Sequence, residues 1–243
     1  MTTFLVVVVF SGGLNGHRRQ AIRQSWLRLS GQRKVKHYFI IGSLDVNQSL
    51  LDSLLEEQRL HNDLLLFPHL KDTYTTLALK LLQTFKWFSS QTRFKYLVKV
   101  DDDSFLRVDQ LFDELLERSV AKKDSKPLYM GFFDGRAHVK RTGQWSESNW
   151  FLCDRYLPYA LGGGYVVSED LVRFVAQNSN LLQLFRSEDV SLGVWLSALN
   201  INRIHDMRFD TEYQSRGCLN SHLIIHKQSV DKLKILYENL QTF

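Results

Sequence analysis

The chain has 243 residues, 44% hydrophobic and 23% charged, with three prolines and a net charge of +5. That length buries a sizeable core, and the composition is that of an ordinary globular protein without long proline-rich linkers. The charge is too mild and too dispersed for a nucleic-acid-binding stripe. It suits an anionic small molecule such as a nucleotide diphosphate.

Phe4–Phe10 is an apolar run rich in branched residues. It is too short to cross a membrane, which takes about 20 residues, and it predicts a buried strand ending at the turn signal Ser11-Gly12-Gly13. No signal peptide is visible. A helix is predicted over His17–Leu29, with Ile22, Trp26 and Leu29 on one face. Val35–Ile41 reads as a strand, Leu50–Leu60 as a helix, and Leu64–Phe67 as a short strand stopped by Pro68. Thr73–Phe88 repeats apolar residues at a helical period, and Tyr96–Val100 is a further strand. This alternation implies an α/β fold with a mostly parallel central sheet flanked by helices. In such sheets ligands sit beyond the carboxyl ends of the strands.

The second half is less regular. Leu128–Phe133 reads as a strand, residues 134–160 are rich in aromatics, and Gly162-Gly163-Gly164 precedes the apolar Tyr165–Val167. Leu171–Val175, Val190–Leu196 and Val230–Leu240 read as helical, and Ile224–Ile225 as a short strand. Cys153 and Cys218 are either two buried free thiols or one long-loop disulfide, which requires an oxidising compartment. The sequon Asn47-Gln48-Ser49 is too short a motif to decide anything.

The sharpest feature is Asp101-Asp102-Asp103, directly after a strand. Three adjacent carboxylates repel one another unless a cation or helix N–H groups neutralise them. Capping of the following helix explains one carboxylate well and three poorly. A hard divalent cation explains them better. Mn2+ or Mg2+ suits oxygen ligands, and a histidine ligand would tilt the choice towards Mn2+. A second pair, Glu188-Asp189, precedes an apolar helical stretch. It is either a helix N-terminus with favourable carboxylates or the source of a general base. Arg19, Arg23 and Lys80 read as solvated helix-face cations, with a contact to a diphosphate or to the acidic cluster as the alternative for Lys80. Lys80, near the start of its helix, gains nothing from the helix dipole there. The glycine triplet lacks phosphate-loop spacing and reads as a place of close backbone approach. The segment Ser11–Gly16 does not fit Gly-x-Gly-x-x-Gly, which argues against a dinucleotide-dependent dehydrogenase.

Five segments, in order, resemble the β-1,3-glycosyltransferase family with the GT-A fold. They are Arg19–Trp26, Asp72–Lys80, Lys99–Asp103, Tyr159–Ser168 and Glu188–Gly193. Gly131–Phe133, Pro158–Gly164, Ser187–Trp195, Arg208–Tyr213 and His226–Ser229 are similar to the branch of that family that builds the glycosaminoglycan linkage region. The resemblance implies one Rossmann-like GT-A domain over 1–243, with a nucleotide-binding half (1–107) and an acceptor-binding and catalytic half (108–243). It implies transfer of galactose from UDP-galactose to the 3-hydroxyl of a galactosyl-xylose acceptor on a proteoglycan core protein. It also implies residence in the Golgi lumen as a type II membrane protein whose N-terminal anchor is absent from this chain.

By resemblance, Asp189 is the base, with Glu188 as second choice. Asp103 and His226 are the metal ligands, with Asp101 joining through water. Arg19, Arg23, Asp72, Lys80, Asp101, Asp102, Gly163 and Gly164 surround the donor. Trp145, Trp150, Tyr159 and Glu188 are candidates for the acceptor, although such aromatics commonly belong to the core. Two alternatives stay open: a β-1,3-N-acetylglucosaminyltransferase of the same fold, and a non-catalytic sugar-binding module. Loss of the metal or base residues would favour the second, and both sets are present.

Overall fold

The computed structural model describes residues 3–122 and 125–242. In chain order the elements are β1 (Leu5–Phe10), α1 (Gly16–Gln24), β2 (Val35–Gly42), α2 (Gln48–His61), β3 (Leu64–Phe67), α3 (Leu77–Gln91), β4 (Tyr96–Asp101), β5 (Phe105–Leu106) and α4 (Val108–Val120). They continue with β6 (Leu128–Asp134), β7 (Tyr159–Ser168), α5 (Glu169–Gln177), α6 (Glu188–Leu196), β8 (Asn202–His205), β9 (Phe209–Asp210), β10 (Ile224–Ile225) and α7 (Val230–Gln241).

A seven-stranded sheet has the order β3-β2-β1-β4-β7-β6-β8. β7 runs against its neighbours β4 and β6, and the remaining strands share one direction. The expected mostly parallel α/β architecture is therefore present. Both sheet faces are covered, so the central strands are predominantly apolar, with Lys99 inside β4 a charged exception. Leu5, Val7 and Val9 of β1 enter one core with residues of α1, α4 and α7. Val6, Val8 and Phe10 enter the other with α3, α5 and α6. The alternation of side chains along a strand produces this division.

A small second sheet, β5-β10-β9, lies beyond the end of β4. Its two-residue strands carry no periodic signal, and β5, β8 and β9 were not expected. The predicted helix His17–Leu29 is broken at Ser25, after which Trp26–Ser30 forms a 3-10 turn. The break lets Trp26 and Leu27, adjacent in sequence, both be buried. The helix expected from Thr73 likewise starts with a 3-10 turn, Tyr74–Thr76, under a Thr73–Thr76 capping box. Asn47 of the sequon caps α2 by accepting from Leu50 N at 2.9 Å. No helix among the described residues is long and apolar enough to cross a membrane.

Candidate active site

The carboxyl ends of β1 and β4 lie side by side, with Phe10 paired to Asp101. Asp102 N donates to Phe10 O at 3.1 Å, which draws this residue towards β1. Its Oδ2 accepts from Ser11 Oγ and Asn15 Nδ2, each at 2.8 Å. Arg18 Nε stands 3.9 Å from its Oδ1. Asp102 thus pins the β1–α1 loop.

Asp101 and Asp103 have a different partner. β5 follows Asp103 by one residue and pairs with β10, Phe105 opposite Ile225. One step beyond that pair, His226 arrives beside the acidic run, and Gln228 N closes the junction on Asp103 O at 2.7 Å. His226 Nε2 lies 3.0 Å from Asp103 Oδ1 and 3.5 Å from Asp101 Oδ2. Ligand atoms of the three residues lie within 4.8 Å of one another. Despite the short approach to His226, Asp103 Oδ1 is buried without a hydrogen-bond partner. A buried carboxylate oxygen left so is costly. A divalent cation held between carboxylates and imidazole satisfies it, so these residues fit such an ion. Burial opposes charge on both groups. For Asp103 the nearby His226 and Arg18 outweigh it and lower the pKa. For His226 the nearby Asp103 and Asp101 outweigh it and raise the pKa.

Gly162-Gly163-Gly164 lies inside β7 rather than in a loop before it. Each glycine makes room for a protein group. A Cβ on Gly163 would stand 2.5 Å from His226 Nδ1, and one on Gly164 would stand 2.6 Å from Ile224 Cδ1. A Cβ on Gly162 would stand 2.9 Å from Glu188 Oε1 and 3.1 Å from Asp189 Oδ2. Gly162 thus faces the α6 carboxylates, whereas Gly163 and Gly164 face His226 and Ile224, over a stretch where the pairing of β7 with β6 shifts register.

Asp189 lies in the first turn of α6, where carboxylates are favoured. Its Oδ2 accepts from Gly162 N at 2.9 Å and its Oδ1 from Val190 N at 2.8 Å. Burial, and then the charge of Glu188, raise its pKa to about 7, against the pull of those N–H groups and of Lys99. Glu188 differs from expectation. It is 5% exposed and its Oε1 receives Lys99 Nζ at 2.7 Å, so it faces the interior rather than an acceptor.

Lys99 escaped the sequence reading as a site residue. The available signal was a cation interrupting the apolar strand Tyr96–Val100 just before three carboxylates.

The other expected donor residues separate into two groups. Lys80 Nζ donates to Asp72 Oδ1 at 2.6 Å and to Ser11 O at 2.8 Å, beside the acidic run. Burial lowers its pKa against the attraction of Asp72. Asp72 Oδ2 in turn accepts from Gly42 N at 2.8 Å. Arg19, 1% exposed, forks onto Glu57 with contacts of 2.7 and 2.8 Å and donates to Gly12 O at 2.6 Å. Arg23 pairs with Glu57 and Asp63 at 2.7 Å each. These two cations brace α1 against α2.

Trp150 and Tyr159 belong to a buried cluster with Tyr156, Phe185 and Val190, whereas Trp145 is 46% exposed. Cys153 and Cys218 are both free and exposed, which corrects the expectation of buried or bonded thiols.

Residues 17–207 match the family described as Galactosyltransferase. The chain is 45% identical over 233 residues to "Beta-1,3-galactosyltransferase 6" of Mus musculus, covering 95% of this chain and 71% of that protein. It is 35% identical over 171 residues to "UDP-GalNAc:beta-1,3-N-acetylgalactosaminyltransferase 2" of Xenopus tropicalis, covering 70% of this chain and 34% of that protein. The crystal structure of residues 1–349 of TarS from S. aureus matches with a TM-score of 0.46 at 13% identity, over 83% of this chain and 57% of that one. The chain belongs to the galactosyltransferase family.

Proposed function

We propose that this chain performs an inverting transfer of galactose from UDP-galactose to the 3-hydroxyl of a galactosyl-xylose acceptor on a proteoglycan core protein. The observation that carries this reading is a carboxylate of near-neutral pKa, Asp189, on the far side of β7 from a three-residue donor set that fits a divalent cation. The identity to the mouse β-1,3-galactosyltransferase supports the sugar and the linkage. The working compartment in this reading is the Golgi lumen.

Asp103, His226 and Asp101 would hold Mn2+ or Mg2+. Bound there, the ion supplies positive charge that stabilises the departing diphosphate. Residues 1–107 supply the nucleotide-binding half. In it, Asp102 fixes the β1–α1 loop, Lys80 and Asp72 brace the carbonyl of Ser11, and Arg19 and Arg23 hold α1 in place. Residues 108–243 supply the acceptor half, in which Trp145 is exposed enough to meet a sugar ring. Gly163 and Gly164 keep the strand beside the donor narrow enough for His226 and Ile224.

Ionised Asp189 takes the proton of the acceptor hydroxyl. That oxygen bonds to the anomeric carbon as the bond from this carbon to the diphosphate breaks on the opposite face. An α-linked donor thereby gives a β-linked product, UDP departs, and Asp189 returns its proton to solvent. In the Asp189→Asn variant, calorimetry should show metal-dependent UDP binding at the wild-type affinity while transfer is lost. Wild-type turnover in that variant contradicts the assignment. The frog relative favours one second reading, N-acetylgalactosamine as the donor sugar in the same mechanism.

A further inference from the structure

Lys99 interrupts the apolar strand β4, and its side chain is 1% exposed. A buried ammonium is tolerable only when paired and hydrogen-bonded. Here its three donors find three acceptors: Gly162 O at 2.6 Å, Asp101 Oδ1 at 2.7 Å and Glu188 Oε1 at 2.7 Å. The ring centres of Phe10 and Tyr165, at 4.9 and 5.8 Å, complete its surroundings. These acceptors belong to different parts of the site. Asp101 faces His226, Gly162 donates its N–H to Asp189, and Glu188 precedes Asp189 on α6.

We propose that Lys99 is a positioning residue whose single buried ammonium fixes both the Asp101 carboxylate of the candidate cation site and the Glu188–Gly162 frame around Asp189. This rests on the reading of Asp101 as a cation ligand and Asp189 as the base. Without Lys99, Asp101 loses the contact that aims its second oxygen at His226. Glu188 also becomes an uncompensated buried carboxylate beside Asp189, so that Asp189 holds its proton to a higher pH. The other titratable groups facing Asp189 are Tyr129, Tyr156, Tyr159 and Tyr165. Burial holds each above the usual phenol range, so they stay neutral around pH 7.

The test compares wild type, Lys99→Met and Lys99→Met/Glu188→Gln by two readouts. One is Mn2+ binding without substrate, read from the free-ion EPR signal. The other is the pH dependence of kcat/KM. For Lys99→Met, Mn2+ affinity should fall about 10-fold or more, and the acid limb of kcat/KM should move up by about one unit. In the double variant the limb should return to or below its wild-type position, because the Glu188 charge is gone, while Mn2+ affinity stays weak. Loss of packing alone would not bring the limb back.

If Lys99→Met fails to fold, the double variant, which leaves no buried charge unpaired, carries the test through its Mn2+ affinity. Wild-type Mn2+ affinity and an unmoved limb would overturn the inference alone, provided that Asp189→Asn is inactive and His226→Ala binds Mn2+ poorly. Turnover by Asp189→Asn, or wild-type Mn2+ binding by His226→Ala, would overturn the underlying reading together with the inference.

Discussion

The His226 ring occupies the space that a β-carbon on Gly163 would need, with Nδ1 only 2.5 Å from that point. The contact also involves His226 Cγ and Cβ, so the histidine cannot yield by swinging only its tip. Gly163→Ala should therefore displace a candidate ligand without touching its chemistry. Mn2+ affinity is expected to fall about 10-fold or more, with the circular dichroism spectrum unchanged. Wild-type Mn2+ binding in a folded Gly163→Ala protein contradicts this account of the glycine.

The acidic run divides its labour, and substitutions should separate the parts. Asp103→Asn should weaken Mn2+ binding, because Asp103 Oδ1 lies 3.0 Å from His226 Nε2 and has no hydrogen-bond partner. Asp102→Asn should leave Mn2+ affinity near wild type and weaken UDP binding. Asp102 spends its Oδ2 on Ser11 and Asn15 of the β1–α1 loop. Calorimetric titration of each variant with Mn2+ and then UDP checks the division.

The pH profile follows from Asp189, whose pKa stands at about 7 instead of 3.8. A base works in its ionised form, so kcat/KM should be level above that pH and fall tenfold per unit below it. A profile flat from pH 5 to 8 in wild type would contradict a base at this position.

The acidic run and the strand before it were plain in the sequence, because three carboxylates after an apolar run have few bland explanations. The left half of the sheet was equally legible, since β1 to β4 are short runs dominated by apolar residues, of which β1 is buried throughout. β7 was only half seen. Its three glycines signalled a close approach, but not by what, because the groups that fill the space above them come from α6 and β10, distant in the chain. The meeting of Asp103 with His226 depends on the pairing of β5 with β10, two-residue strands without a periodic signature. The burial of Trp150 and Tyr159 was likewise undecidable from the sequence, because a stacking aromatic and a core aromatic look the same.

Arg19 and Arg23 illustrate a further ambiguity. Both carry the family pattern, yet both spend their charge on Glu57, and Arg23 also on Asp63. Burial pushes the Asp63 carboxyl up, but its contacts with His37 and Arg23 outweigh this and hold its pKa at about 2. Glu57→Gln leaves Arg19 a buried cation without its partner and should destabilise the fold by about 3 kcal/mol. Urea denaturation measures that cost. A midpoint equal to wild type would show that the pairing contributes nothing.

Galactosyl transfer by this chain is best checked by offering UDP-galactose, UDP-N-acetylgalactosamine, UDP-N-acetylglucosamine and UDP-glucose separately. Each is given with Mn2+ and a galactosyl-β-1,4-xyloside, with chelator as control, and the product linkage is read by NMR. A β-1,3-linked product should form from UDP-galactose alone and be abolished by chelator and by Asp189→Asn. A product of α configuration, one that survives chelation, or one formed from a different donor would contradict the proposed function.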